Sequence, residues 1–268
     1  MRRNGILFGA LLVLLGPLLL LSNLGVIAVD VWSLLWPLAL IAIGGSLLWA
    51  VLAGPRTTEV EEAEIRLQGA GRAHLRLRHA AGRLTVTAGA APGLLLSGRF
   101  GGGVEKRIRP DADGLRVELS LPRRAFPSFL VPGRGWSGHG LEWVLALSPE
   151  VPLTLSVDSG ASENRLDLSA LMVTELRVET GASSTEVTLP AAAGYTRAHI
   201  SSGAASTVVN VPEGVGARIQ TEGALSDINV SPRFERLAAG QYQSPDYAVA
   251  PNRVDLKVET GVGASTVR

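Results

Sequence analysis

Val157-Asp158-Ser159-Gly160-Ala161-Ser162 is the first clear copy of a signature that recurs along the carboxy-terminal half of the chain. It returns as Val178-Glu179-Thr180-Gly181-Ala182-Ser183, Ile200-Ser201-Ser202-Gly203-Ala204-Ala205, Thr221-Glu222-Gly223-Ala224 and Val258-Glu259-Thr260-Gly261-Val262-Gly263. The glycines lie 21, 22, 20 and 38 residues apart, so the last gap is nearly two periods. Five and three residues before each glycine stand Leu155 and Val157, Leu176 and Val178, Ala198 and Ile200, and Leu256 and Val258. Six and eight residues after it come Leu166 and Leu168, Val187 and Leu189, and Val209 and Val211. The Gly223 copy departs from this phase, because Ile228 and Val230 come one residue early and Ile219 sits four before the glycine. That suits a one-residue-shorter turn or a bulge.

Alternation with period two means strands that bury one face. A glycine between two such strands marks a bend that needs either φ > 0 or a close approach of backbones. Pro190, Pro212 and Pro232 all stand nine residues after their glycines, where a strand would stop. A strand, bend and strand repeated about every 20 residues is too short for a βα unit. The repeat therefore predicts an all-β domain, a single-stack parallel β-solenoid whose rungs bend at Gly160, Gly181, Gly203, Gly223 and Gly261. Ser159, Thr180, Ser202 and Thr260 would stack as a ladder of small polar residues beside those bends. A lone Ser-Gly-Ala-Ser could suggest a nucleophile, but its repetition points to structure.

Upstream, Leu75-Arg76-Leu77-Arg78, then Gly82 and Leu84-Thr85-Val86, reads as a weaker rung. Residues 105–121 read as a hairpin turning at Asp111-Ala112-Asp113-Gly114. Residues 132–140 hold four glycines and Trp136 and read as a loop before a strand over 142–147. Residues 231–252 interrupt the repeat as a long loop or a modified rung.

The amino-terminal 54 residues are of another kind. They are about 69% apolar against about 40% for the rest, and their only charges are Arg2, Arg3 and Asp30. Residues 5–21 form a continuous apolar run that would cover roughly 26 Å as a helix, and residues 34–53 form a second. Ser22-Asn23-Leu24-Gly25 supplies a turn, and Trp32, Trp36 and Trp49 sit near the ends of the second run, where indoles favour the headgroup region. The expectation is a two-helix transmembrane hairpin over 1–54, a connector over 55–65 and the β-solenoid over 66–268. Gly5 and Gly9 form a small-xxx-small pair suited to helix packing. Arg2, Arg3 and Arg56 flank the spans while residues 22–33 carry no basic residue, which places both ends in the cytoplasm. A cleaved signal peptide ending near Val26-Ile27-Ala28 is the rival reading. An extracytoplasmic body requires that only one stretch cross uncleaved.

Removing the three early charges leaves 23 basic and 23 acidic residues, from 25 − 2 and 24 − 1, so the body is formally neutral. Without a basic block, nucleic acid is not expected as a partner. The absence of cysteine removes disulfides, thiol nucleophiles and thiolate metal sites. His74, His79, His139 and His199 show no metal-ligand spacing, and Arg78 and His79 read as rung-surface residues. Residues 99–106 resemble a phosphate loop but lack its GxxxxGK[ST] pattern, and no Gly-x-Ser-x-Gly is present. Asp158, Glu179 and Glu222 fall near successive bends, yet Ser201 breaks the row and no basic residue is expected to recur beside it. They read as a solvated acidic edge, with no catalytic residue, metal or cofactor expected.

Arg3-Asn4-Gly5-Ile6-Leu7-Phe8-Gly9, Leu21-Ser22-Asn23-Leu24-Gly25 and Leu35-Trp36-Pro37-Leu38 resemble the LiaI/LiaF-like transmembrane region of bacterial cell-envelope stress proteins. Residues 153–189, Tyr242-Gln243-Ser244-Pro245-Asp246-Tyr247 and 252–267 are similar to the LiaF carboxy-terminal or toast-rack domain, a β-helical module grouped with adhesin-like proteins. The resemblance implies a non-enzymatic regulator of the bacterial cytoplasmic membrane that restrains a sensor histidine kinase until envelope damage relieves it. An adhesin-like structural module outside the membrane is the alternative. With Arg268 close behind the last bend, the C-terminal rung is expected to end the stack with a free edge, inviting self-association or a partner strand. The expected partners are thus the lipid bilayer, a sensor histidine kinase or other membrane protein, and a second copy.

Overall fold

The computed structural model describes residues 60–111, 114–122 and 141–268, together with helical positions Pro37 and Leu40. The proposed spans over 5–21 and 34–53, with Gly5 and Gly9, otherwise lie outside the described residues. The chain divides into two compact units, Met1–Pro55 and Arg56–Arg268.

The second unit is built from thirteen strands: β1 (Val60–Arg66), β2 (Arg72–Ala88), β3 (Leu94–Gly101), β4 (Glu105–Asp111), β5 (Gly114–Ser120), β6 (Glu142–Leu147), β7 (Leu153–Asp167), β8 (Val173–Thr188), β9 (Tyr195–Asn210), β10 (Val215–Val230), β11 (Glu235–Ala238), β12 (Gln241–Gln243) and β13 (Asn252–Val267). β1 begins inside the segment expected as a connector, because Ala63 and Ile65 are buried against the core. The hairpin over 105–121 and the strand over 142–147 form as the sequence predicts, as β4–β5 and β6.

Six strands, β2, β7, β8, β9, β13 and β10, lie side by side in parallel. Each runs unbroken through its bend, and its inward phase changes there. In β7, Leu153, Leu155 and Val157 point inward before Gly160, whereas Ser162, Asn164 and Leu166 do so after it. A strand that keeps strict alternation faces one way throughout, so the change of phase turns each rung around a common core. β8 ends at Thr188, β9 at Asn210 and β10 at Val230, each two residues before a proline.

The stacking order departs from chain order at one place. β13, the last strand, inserts between β9 and β10, pairing in parallel with both. The C-terminal rung is therefore interior, and the expectation that it ends the stack is corrected. The 38-residue gap is accounted for by the small antiparallel strands β11 and β12, which fold onto the first half of β10. The remaining chain then crosses back over β10 to reach β9, where its own alternating Val254, Leu256 and Val258 become buried.

At the opposite end, β2 is a full 17-residue rung. Its first half pairs with β5 and its second half with β6, which continues through antiparallel β3 and β1. Trp143 closes the core there, fully buried, with its Nε1–H donating to the Gly101 carbonyl at 3.2 Å. Phe100 meets its ring edge-on at 5.1 Å.

Candidate functional site

The register turns the repeated signature into columns that run along the stack. Ser159, Thr180, Ser202 and Thr260 stand side by side on neighbouring strands. His79 precedes them on β2. A second inward column after the bend runs Leu84, Asn164, Thr185, Thr207, Ser265 and Ile228. Most polar members of the two columns bond to one another, whereas the buried Thr180 hydroxyl has no hydrogen-bond partner among the described residues. Asn164 Nδ2 donates to Ser159 Oγ at 3.0 Å and to Thr185 Oγ1 at 3.1 Å, while its Oδ1 accepts from Ser162 Oγ at 3.1 Å. Thr260 and Ser265 hydroxyls pair at 2.6 Å. These bonds offset the cost of burying the polar groups that make them, and the ladder ends in apolar Leu84 at one pole and Ile228 at the other.

At the bends, close approach rather than left-handed geometry selects glycine. None of the five signature glycines has positive φ. A Cβ would stand 2.3 Å from the Ala80 carbonyl oxygen at Gly160, 3.1 Å from that of Gly160 at Gly181, 3.1 Å from that of Gly181 at Gly203, and 2.6 Å from that of Gly203 at Gly261. Gly223 stands outside this series. It pairs opposite Thr260, one position earlier, and β10 stays in continuous register with β13 on both sides of Ala224, so a register offset replaces the expected short turn or bulge.

The outward face before the bend is mostly charged. Arg78, Asp158, Glu179, Ser201, Glu259 and Glu222 form one column, and Arg76, Ser156, Arg177, His199, Lys257 and Gln220 form the next. A basic group thus does recur beside the acidic row, contrary to the sequence reading. The signal was present four residues before three of the five glycines, at Arg177, His199 and Lys257. Like charges on adjacent strands repel, and the basic column offsets this. Arg76 binds Asp158 at 2.7 Å, Arg177 binds Glu179, and Lys257 bridges Glu259 at 2.6 Å and Glu222 at 3.2 Å. Hydrogen bonding from Lys257 holds the Glu259 carboxyl below the ordinary glutamate range.

An open groove of about 640 Å³ borders this face beside the β4–β5 hairpin, lined in part by Arg78, Arg107, Glu118, Asp158 and Glu179. Its charges are matched within the domain. Arg78 lies 3.2 Å from Glu118 and 3.7 Å from Asp158, and Arg107 lies 3.3 Å from Glu105. Among the described residues no group of three histidine, aspartate or glutamate side chains could hold a metal ion.

His79 departs from its expected surface position. It is 1% exposed, its ring lies tilted against Trp143 with centroids 5.1 Å apart, and its Nε2–H donates to the Leu141 carbonyl at 3.0 Å. Burial pushes its pKa down to about 4. The alternation Ala73, Leu75, Leu77, His79 already placed it on the inward face, and its polar character obscured that signal.

Near the opposite end, Asp255 accepts from the Tyr195 hydroxyl at 2.6 Å and from the Tyr247 hydroxyl at 2.5 Å. Arg218 lies over the Tyr247 ring at 4.5 Å. These contacts fasten the segment after β12 to the face of β13 and β10.

A solved structure of a candidate cell adhesion protein from Clostridium sporogenes superposes with a TM-score of 0.69 at 21% identity, covering 78% of this chain and 98% of that one. A candidate adhesin from Bacteroides fragilis covers 78% of this chain and 97% of its own at 9% identity, with a TM-score of 0.28. No curated protein matches the chain. A family model for the LiaI-LiaF-like transmembrane region matches residues 6–48, so the chain is membrane-associated. The model for the N-terminal domain of toast_rack, DUF2154, matches residues 54–210, and the chain belongs to the toast-rack family.

Proposed function

We propose that this protein is a non-enzymatic, membrane-anchored regulator of the bacterial envelope-stress response that works through protein contacts, with its β domain in the cytoplasm and a sensor histidine kinase as the protein it restrains. The observation that carries the reading is the joining of a LiaI-LiaF-like transmembrane region over 6–48 to a toast-rack domain that starts at 54. The charged face supports it as well. On that face the Lys257 hydrogen bond holds Glu259 below the ordinary glutamate range, the opposite of the raised carboxyl that a general acid needs. Sidedness rests on Arg2, Arg3 and Arg56 flanking the apolar runs.

The chain has no cysteine, so one introduced at Val249, which is 84% exposed, reports sidedness directly. An impermeant maleimide is expected to leave intact cells unlabelled and to react after permeabilisation. Labelling of intact cells would favour the second reading, an outward adhesion module, for which the name of the Clostridium sporogenes protein is the supporting observation. Photo-crosslinking from the charged face in native membranes is expected to capture a histidine kinase. Absence of a kinase among the products under both resting and antibiotic-stressed conditions would overturn the regulatory role.

A further inference from the structure

The two halves of the bent stack have four ends, and three are closed in the same manner. The first half ends in antiparallel β4 on β5 at one pole and in β12 and β11 on β10 at the other. The second half ends in antiparallel β3 and β1 at the β2 pole. The strands at that pole also carry devices that discourage further pairing. Glu61 of β1 lies on the same face as buried Ala63 and Ile65, and it pairs with Lys106 of β4 at 2.9 Å. β4 also contains Pro110.

Among the described residues the fourth end has neither feature. Cover over β10 reaches Thr221, whose N–H donates to the Gly240 carbonyl at 2.7 Å, and β12 pairs only with Arg218, Ile219 and Gln220. Among the described residues no strand pairs with the outer edge of residues 223–230. This edge has no proline and no inward charge, since Ser226, Ile228 and Val230 are its partly buried positions. The buried Ser226 hydroxyl has no hydrogen-bond partner among the described residues. Leu225, 78% exposed, stands opposite Val262, 52% exposed, and so places apolar surface beside the open backbone.

We propose that a second copy of this chain pairs here, its β10 running antiparallel to the first about a two-fold axis at Ile228. The edge sequence is self-complementary in that register. Ile228 faces its counterpart, Asp227 faces Asn229 of the other copy, and Ser226 faces Val230, so the inward faces merge and no like charges meet. Shifting the axis to Asp227 sets two carboxylates against each other. An isologous contact of this kind closes after two copies and consumes both free edges, which prevents open-ended growth. The proposal is independent of membrane side and of any kinase.

The test uses the full-length, naturally cysteine-free chain in bacterial membranes, with single cysteines introduced by Ile228→Cys or, as control, Leu237→Cys. Leu237 is 60% exposed on β11. Opposed Cα atoms of an antiparallel pair lie about 4.5–5.5 Å apart, within disulfide reach. Mild oxidation is expected to convert most of the Ile228→Cys protein to a dimer, at least tenfold more than the control. In detergent, Ile228→Lys is expected to weaken dimerisation at least tenfold, with the circular dichroism spectrum retained. Monomeric Ile228→Cys protein, equal dimer from the control, or a crosslink only to a protein of different mass would each overturn the proposal. If Ile228→Lys unfolds, the crosslinking comparison decides alone.

Discussion

The carbonyl oxygen of Gly203 occupies the place where a Cβ on Gly261 would come within 2.6 Å of it. The relationship crosses 58 residues of sequence and joins β9 to the inserted strand β13.

Gly261→Ala should therefore destabilise the domain by about 1–3 kcal/mol, since two backbones must separate. Gly181→Ala, with 3.1 Å to the Gly160 oxygen, should cost under about 1 kcal/mol because a shift of a few tenths of an ångström relieves it. Urea unfolding of the two variants would give the order, and equal losses would contradict it.

Asn164 is held by three side chains at once and is 1% exposed. Asn164→Ala should lower stability by about 2–3 kcal/mol, because buried Ser162 and Thr185 and half-buried Ser159 lose their shared partner. The β2 rung has Leu84 at the corresponding position, in register with Asn164. Asn164→Leu combined with Ser159→Ala and Thr185→Val should recover most of the loss, as measured by thermal unfolding.

His79 is neutral in the folded state, with a pKa of about 4 against 6.5 for an unperturbed histidine. The unfolded chain binds the extra proton first as pH falls, so this group's contribution is intact above pH 6.5 and declines towards pH 4. The full loss is on the order of 3 kcal/mol. His79→Gln should remove that component of the acid sensitivity. Parallel pH-dependent stability curves for the two proteins would show that His79 does not carry it.

Burial and the hydrogen bond to Asp255 push the Tyr247 phenol up to about 12. Its ultraviolet titration should fall beyond the ordinary tyrosine range near 10 and move down in Asp255→Asn. Because the folded pKa is the higher one, the accompanying stability is present below pH 10 and lost as pH rises towards 12. A titration unchanged by Asp255→Asn would separate Tyr247 from Asp255.

Much of the bend was legible from residue spacing. Val157 and Leu166 have opposite parity about Gly160, and only a strand that turns its buried face can bury both. The small residues Ser159, Thr180, Ser202 and Thr260 mark one column because they occupy one phase. The β2 rung was harder to place. Its conspicuous glycine is Gly82, yet Ala80 is level with Gly160, and Gly82 serves a separate need with φ 108 and the Leu141 carbonyl 2.3 Å from a would-be Cβ. Spacing alone does not distinguish those two reasons for glycine.

By itself the sequence determined that this protein has an apolar amino-terminal segment and a body of bent, one-sided strands with small residues at the turns. Those properties are periodic and local, set by which side chains repeat and how far apart. Tertiary structure alone decided who neighbours whom: β13 between β9 and β10, Lys257 between Glu259 and Glu222, His79 beside Trp143, and one half-edge without a covering strand among the described residues. The physical reason is that the rungs are nearly equivalent in pattern. Any two could stack by periodicity, and the choice between them comes from connection length and side-chain complementarity once the chain has closed on itself.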